Sequence, residues 1–203
     1  MYPHQYNPDN YSPEPEPHPV KPSLLRGLFH IVREVLETIV PAVLIALLIN
    51  LFLAQATRVY GQSMEPNLHT DQRIIVEKLS YNRYVRQYLN LNGPARGDVV
   101  VISLESQGGE LLIKRVIGLP GDTVEIHDGQ VFVNQQPLHE PYLSGATTGF
   151  YGPIVVPPLR IFVLGDNRNF SNDSRNFGTI PLEQVVGHAW FSYWPMDQFG
   201  FVE

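Results

Sequence analysis

The 203-residue chain contains no cysteine. That excludes disulfides, thiolate metal sites and a cysteine nucleophile, whatever compartment the chain occupies. Basic residues are scarce as well: 14 Lys and Arg stand against 20 Asp and Glu, a formal net charge of -6. Phosphate binding needs clustered Lys and Arg, and no such cluster is present, so no nucleic-acid partner is expected. No internal repeat of the propeller or solenoid kind occurs. A G-x-S-x-G elbow is also missing, and His69, His127, His139 and His188 form no pattern that singles one out as a catalytic base. What is left is chain enough for one globular domain with a sizeable core, once the N-terminal portion is set aside.

That portion has two characters. The first 22 residues hold seven of the 18 prolines, with Asp9, Glu14 and Glu16 and almost nothing apolar to bury. Such a segment does not offset its ordering entropy, so 1–22 is expected to be a disordered tail; a proline-rich docking ligand is the alternative. From Ser23 onward Leu24, Leu25, Leu28, Phe29, Ile31, Val32, Val35 and Leu36 recur at helical spacing, and residues 39–54 are nearly uninterrupted hydrocarbon. The pattern predicts one long helix over 23–57. Its uncharged part, 38–57, is about 20 residues long, which matches a bilayer core and predicts a single transmembrane helix, with a buried core helix as the alternative. Asn50 is a strongly polar residue in its interior, and Pro41 predicts a kink near one end. A retained signal anchor fits the polar stretch ahead of the span better than a cleaved signal peptide does. Lys21, Arg26 and Arg33 before the span, against Arg58 and Arg73 after it, favour a cytoplasmic N-terminus.

From residue 58 to 203 the periodicity changes to short β-branched runs broken by Gly, Pro, Asn and Asp, which predicts a mainly β domain. Strands are expected at 73–78, 98–104, 111–117, 123–126, 130–133, 160–164 and 187–193. Asp128-Gly129 reads as a hairpin turn that tolerates positive φ. Leu119-Pro120-Gly121-Asp122 is a second turn. Residues 81–91 read as a short helix or a surface loop.

Candidate chemistry lies at three places. Ser63 follows the apolar run within Tyr60-Gly61-Gln62-Ser63-Met64-Glu65-Pro66. Lys114 lies in Leu111-Leu112-Ile113-Lys114-Arg115-Val116-Ile117, a strand apolar on both faces apart from the Lys-Arg pair. Burial there strips hydration from a charged amine and lowers its pKa, which is what a lysine general base requires. The alternative is a lysine that snorkels to an edge while Arg115 pairs with an acid. The third place is Gly165-Asp166-Asn167-Arg168-Asn169-Phe170-Ser171-Asn172-Asp173-Ser174-Arg175, a polar loop directly after a buried strand. Its spacing fails as a calcium loop, because Arg168 and Phe170 hold the third and fifth positions, so no metal is expected.

Ser63-Met64-Glu65-Pro66-Asn67-Leu68, Arg96-Gly97-Asp98-Val99-Val100, the run from Lys114 to Asp122, and Gly165-Asp166-Asn167-Arg168-Asn169 through Ser171, Asp173 and Arg175 resemble the four ordered boxes of bacterial type I signal peptidases. The resemblance runs from the apolar span to Trp194-Pro195. It implies an antiparallel β catalytic domain behind one transmembrane helix, and an endopeptidase that removes N-terminal signal peptides from exported preproteins. By the same resemblance Ser63 is the nucleophile and neutral Lys114 its general base, with no cofactor. Ser171 would orient the lysine, Asp166 would pair with Arg115, and Asp173 with Arg175. Val59, Tyr60, Met64, Leu68 and Ile113 match positions that line pockets for small residues of the Ala-x-Ala type.

Two departures from the family pattern stand out. Gly61 occupies the place where some members carry a side-chain oxyanion donor, leaving the Ser63 amide as the backbone donor. Asn67 replaces a threonine, a change expected to affect the local turn. The implied partners are membrane-tethered preproteins and a lipid bilayer, bacterial plasma membrane or thylakoid, with the catalytic domain on the extracytoplasmic side. Trp190, Phe191, Tyr193, Trp194 and Phe199 are candidates for either the core or the membrane interface.

Overall fold

A computed structural model describes residues 24–81, 93–104 and 108–202. The proposed tail at 1–22 lies outside them, as does all of the 81–91 segment except Tyr81, which closes a 3-10 turn at Leu79–Tyr81. The chain divides into two units, Met1–Leu44 and Ile45–Glu203.

Helix α1 (Leu24–Leu48) carries Pro41 in its interior. An Arg33–Glu37 pair one turn apart and a Thr38 hydroxyl donating to Glu34 O support its polar half. The predicted helix through 57 is cut short. Ile49–Leu53 form a π-helical turn, and Ala54–Arg58 leave it as strand β1. Among the described residues no helix is long and apolar enough to cross a membrane, because the α-helical part keeps only 38–48 of the uncharged run. Tertiary pairing explains the break: β1 finds a partner strand in β2 (Arg73–Glu77), with Thr57 opposite Ile74. Lys78 then donates its backbone N–H to Leu53 O and its Nζ to Asn50 O. A short apolar run does not by periodicity alone distinguish helix from strand, and here the ladder decides.

The remaining strands are β3 (Val99–Leu104), β4 (Glu110–Gly118), β5 (Thr123–His127), β6 (Gln130–Val133), β7 (Gln136–Pro137), β8 (Tyr151–Val155), β9 (Arg160–Leu164), β10 (Ile180–Pro181), β11 (Val185–Trp194) and β12 (Gly200–Phe201). All seven strands expected from the sequence form; β1, β7, β8, β10 and β12 are additional. The larger sheet runs β1-β2-β11-β3-β4-β9-β10 with β12 beside β11, and the smaller runs β7-β6-β5-β8. Every pairing is antiparallel.

Strand alternation distributes side chains among three cores. Val99 and Val101 of β3 enter one cluster with Met64, Leu68, Ile74 and Val76, while Val100, Ile102 and Leu104 enter a second with Val116, Ile161 and Val163. Phe162 and Leu164 of β9 turn into a third with Ile117, Val124 and Ile126. β3, β4 and β9 are thus central and buried on both faces over most of their length, as period-2 apolar runs require. The exception is the start of β4, where Glu110 and Leu111 are exposed.

β11 approaches β2 so closely at Gly187 that an added Cβ would lie 2.2 Å from Glu77 O. Backbone cannot yield as a side chain does, so Gly187→Ala should destabilise the domain by about 1–3 kcal/mol or more. Gly200, where the same atom meets open space, is the control. Urea unfolding should show a lower midpoint for Gly187→Ala and an unchanged one for Gly200→Ala.

Candidate active site

The loop between β1 and β2 is pinned at its base by Val59 N–H donating to Gln72 O (2.8 Å) and Asp71 N–H donating to Val59 O (2.9 Å). Within it, Asn67 N–H and Leu68 N–H both donate to Met64 O. This turn sends Met64 and Leu68 into the first core and leaves Ser63, half-buried, at its leading edge. The core thereby fixes the hydroxyl through its neighbours.

Lys114 approaches from β4. Its Nζ lies 2.7 Å from Ser63 Oγ and donates to Ile113 O at 3.0 Å. The side chain is 2% exposed. Burial strips the ammonium of water and brings the pKa down to about 8, against the opposing pull of Asp173, Asp166 and Glu110. At that value about a tenth of the amine is neutral at pH 7, and a neutral amine at this distance from a hydroxyl is able to accept a proton.

The polar loop after β9 locks this pair in place. Asn167 N–H donates to Ser63 O (3.0 Å), and Asn167 Nδ2 donates to Gln62 O (3.1 Å). Asp166 accepts Arg115 Nε and Nη2 at 2.8 and 2.6 Å, a bidentate pair with both side chains almost fully buried. Arg115 also donates to Gly97 O and stacks 3.9 Å above the Tyr142 ring. Asp173 accepts from Gly165 N–H, caps α2 (Ser174–Phe177) and pairs with Arg175 at 2.8 and 2.9 Å. The two ion pairs drawn from the sequence are therefore both present in the geometry.

Other placements differ from expectation. Among the described residues the buried Ser171 Oγ has no hydrogen-bond partner, so the expected bond to Lys114 is not made. It packs instead on the Gly165 backbone, where an added Cβ would come within 2.3 Å of it and 2.5 Å of Ser63 O. Of the pocket candidates, Val59, Met64 and Leu68 are core side chains with almost no accessible surface. The turn buries Met64 and Leu68, four apart, on one face, and Val59 is held inward at the base of the loop by its backbone bonds to Gln72 and Asp71. Ile113 is partly buried and Tyr60 is exposed, with the Arg58 guanidinium over its ring. Gly61 holds a φ of +80 and would have open space beside a Cβ. The Ser63 N–H donates to no group among the described residues.

Several contributors were not singled out as site residues. Asn67 Nδ2 donates to Asp166 Oδ2 (2.8 Å) and Tyr142 O (2.9 Å), so its effect extends well beyond the local turn. Arg168 pairs with Glu140 and donates to Thr147 Oγ1 and Gly165 O. Tyr142, its pKa pushed up by burial and the Glu140 carboxylate, stays protonated and donates to Glu140 Oε1. These partners are far apart in the chain, and the only local signal was the polar density of 165–175.

A family model described as "Signal peptidase, peptidase S26" matches residues 32–194. Signal peptidase I of Leptolyngbya laminosa is 38% identical over 197 residues, covering 93% of each chain. The probable signal peptidase I-2 of a Synechocystis species is 39% identical over 171 residues, 82% of this chain and 75% of that one. Signal peptidase I of Bacillus licheniformis is 39% identical over 176 residues, 81% of this chain and 90% of its own.

Removing the Asp166 charge leaves the Arg115 guanidinium buried without its carboxylate. Asp166→Asn should cost about 3–5 kcal/mol of stability. Asp71→Asn, at an exposed pair with Arg58, should cost nothing measurable. Equilibrium denaturation of the two variants beside wild type makes the comparison.

Proposed function

Because the chain belongs to the signal peptidase family, peptidase S26, and is a serine endopeptidase of the signal peptidase I type acting in signal peptide removal, we propose that Ser63 is its nucleophile and Lys114 its general base. The observation that carries this reading is the 2.7 Å separation of Ser63 Oγ from a buried Lys114 Nζ. Neutral Lys114 accepts the Ser63 proton as Oγ attacks the scissile carbonyl. The resulting ammonium hands that proton to the leaving amine, and the freed lysine then activates water to hydrolyse the acyl-enzyme. The Ser63 N–H, without a competing acceptor among the described residues, faces the developing oxyanion. Arg115–Asp166 and Arg175–Asp173 act as supports that hold the polar loop against the Ser63 backbone. Ser171, close to the Ser63 carbonyl across Gly165, orients the amine once it turns toward the lysine.

Cleavage after small residues, of the Ala-x-Ala kind, suits an apolar surface at Ile113 backed by the cluster of Val59, Met64 and Leu68, which admits a methyl group and resists bulk. A membrane anchor is supported by the exposed apolar side chains of α1 and the uncharged run that continues through Ile49–Leu53. Trp190, Trp194, Phe199 and Phe201 are exposed on and beside β11, a composition suited to the lipid interface. In this reading the N-terminus is cytoplasmic, and the catalytic domain meets tethered preproteins on the other side of a bacterial plasma or thylakoid membrane. Shared tethering raises the effective concentration of substrate.

Ser63→Ala and Lys114→Ala, assayed on a model preprotein in detergent, should each lower kcat by at least about a thousandfold. In the wild type, kcat/KM should rise with pH through an apparent pKa of about 8, because the protonated lysine below that value cannot accept a proton. Full activity in both variants, or a limb near about 6.5 that vanishes with a histidine, contradicts the dyad.

A further inference from the structure

Asn67 is four residues from the proposed nucleophile and makes no hydrogen bond to its hydroxyl among the described residues, yet both protons of its amide are committed across the site. One goes to Asp166 Oδ2 at 2.8 Å and the other to Tyr142 O at 2.9 Å. Asp166 is the carboxylate that grips Arg115, and Arg115 follows Lys114 on β4. The Tyr142 ring lies under the same guanidinium. A chain of contacts therefore runs from the nucleophile loop through Asn67 to the strand that carries the base, separate from the Ser63–Lys114 contact.

We propose that Asn67 is a positioning residue for the peptidase reaction, coupling the Ser63 loop to the Arg115–Asp166 pair and thereby setting the geometry and proton affinity of the Ser63–Lys114 dyad. The inference rests on the dyad assignment above. The side chain at 67 must donate twice, and only a primary amide of this length does so. Leucine of similar size donates nothing, threonine donates once, and aspartate turns an oxygen toward the Asp166 carboxylate and the Tyr142 carbonyl.

The electrostatic consequence has a definite sign. Charged groups acting on Lys114 are Asp173, Asp166 and Glu110, all of which favour its protonated form. Arg115 neutralises Asp166, and Arg175 neutralises Asp173. Arg168 is occupied by Glu140. The Asn67 amide adds the positive end of its dipole to Asp166. Its loss leaves that carboxylate less compensated, so the ammonium form of Lys114 is favoured and the activity limb moves to higher pH. An added carboxylate at 67 moves it further in the same direction.

The test is steady-state kinetics against pH with the full chain in detergent, comparing wild type with Asn67→Leu, Asn67→Asp and Asn67→Thr, alongside Ser63→Ala and thermal unfolding of each. Asn67→Leu should lower kcat about 10- to 100-fold, as the loss of a charge-assisted hydrogen bond does, with KM little changed. Its acidic limb should shift upward, that of Asn67→Asp further still, and Asn67→Thr should recover part of the rate. A loss of activity that follows only the folded fraction, with the limb unmoved in all three variants, overturns the positioning role. So do wild-type kinetics in Asn67→Leu and Asn67→Asp. An inactive Ser63→Ala beside wild-type-like Asn67 variants refutes only this inference, whereas an active Ser63→Ala refutes the dyad beneath it.

Discussion

Taking the amine of Lys114 out of water is the physical step on which the proposed catalytic arrangement depends. An exposed lysine stays charged across the physiological range and offers its neighbours only a cation. With 2% of its surface left and a hydroxyl 2.7 Å away, the same side chain is placed to act as the base we propose. That environment exists because β4 is a central strand, flanked by β3 and β9 and covered on both faces where Lys114 to Ile117 lie. The fold and the chemistry thus share one cause, the commitment of this strand to the interior.

Burial alone would leave the geometry loose, and burying acids nearby works against the lowered pKa. Asp166 and Asp173 both pull Lys114 back toward its charged form. Each is matched by an arginine, which limits that pull while turning the carboxylates into anchors. Buried ion pairs are costly to form and punishing to break, so they suit a role in specifying one arrangement more than in adding stability. Arg115–Asp166 ties β4 to the polar loop, and Asn167 ties that loop to the Ser63 carbonyl. Glu140, Tyr142 and Thr147 then clamp Arg115 and Arg168 from the outside.

Much of this was readable from residue order. Central strands announce themselves by β-branched runs such as Val99 to Ile102 and Ile161 to Leu164, which match the buried interior of the larger sheet. Two-residue strands such as β7 and β10 carry no periodicity, and β1 hid at the end of an uncharged run whose α-helical portion ends at Leu48. Ser63, Lys114 and the acid–arginine pairs were legible because the motifs carry them together. Asn67 and Tyr142 act through partners 99 and 75 positions from residue 67, or through stacking, and no local spacing encodes that. The pocket candidates illustrate the reverse difficulty. Met64 and Leu68 lie close to Ser63 in sequence, but the turn that leaves Ser63 half-buried at its edge sends both into the core, and Val59 joins them from the base of the loop.

The state of one amine decides the central claim. The chain has only three lysines, Lys21, Lys78 and Lys114, so uniform labelling of lysine with nitrogen-15 yields a simple spectrum in which Lys114 is assigned by its loss in Lys114→Ala. Titration of the full chain in detergent should show the Lys114 amine with a midpoint of about 8. A Lys114 midpoint at the ordinary lysine value of about 10.4 would contradict the account, since the lysine would then be charged when the proposed reaction needs it to accept a proton.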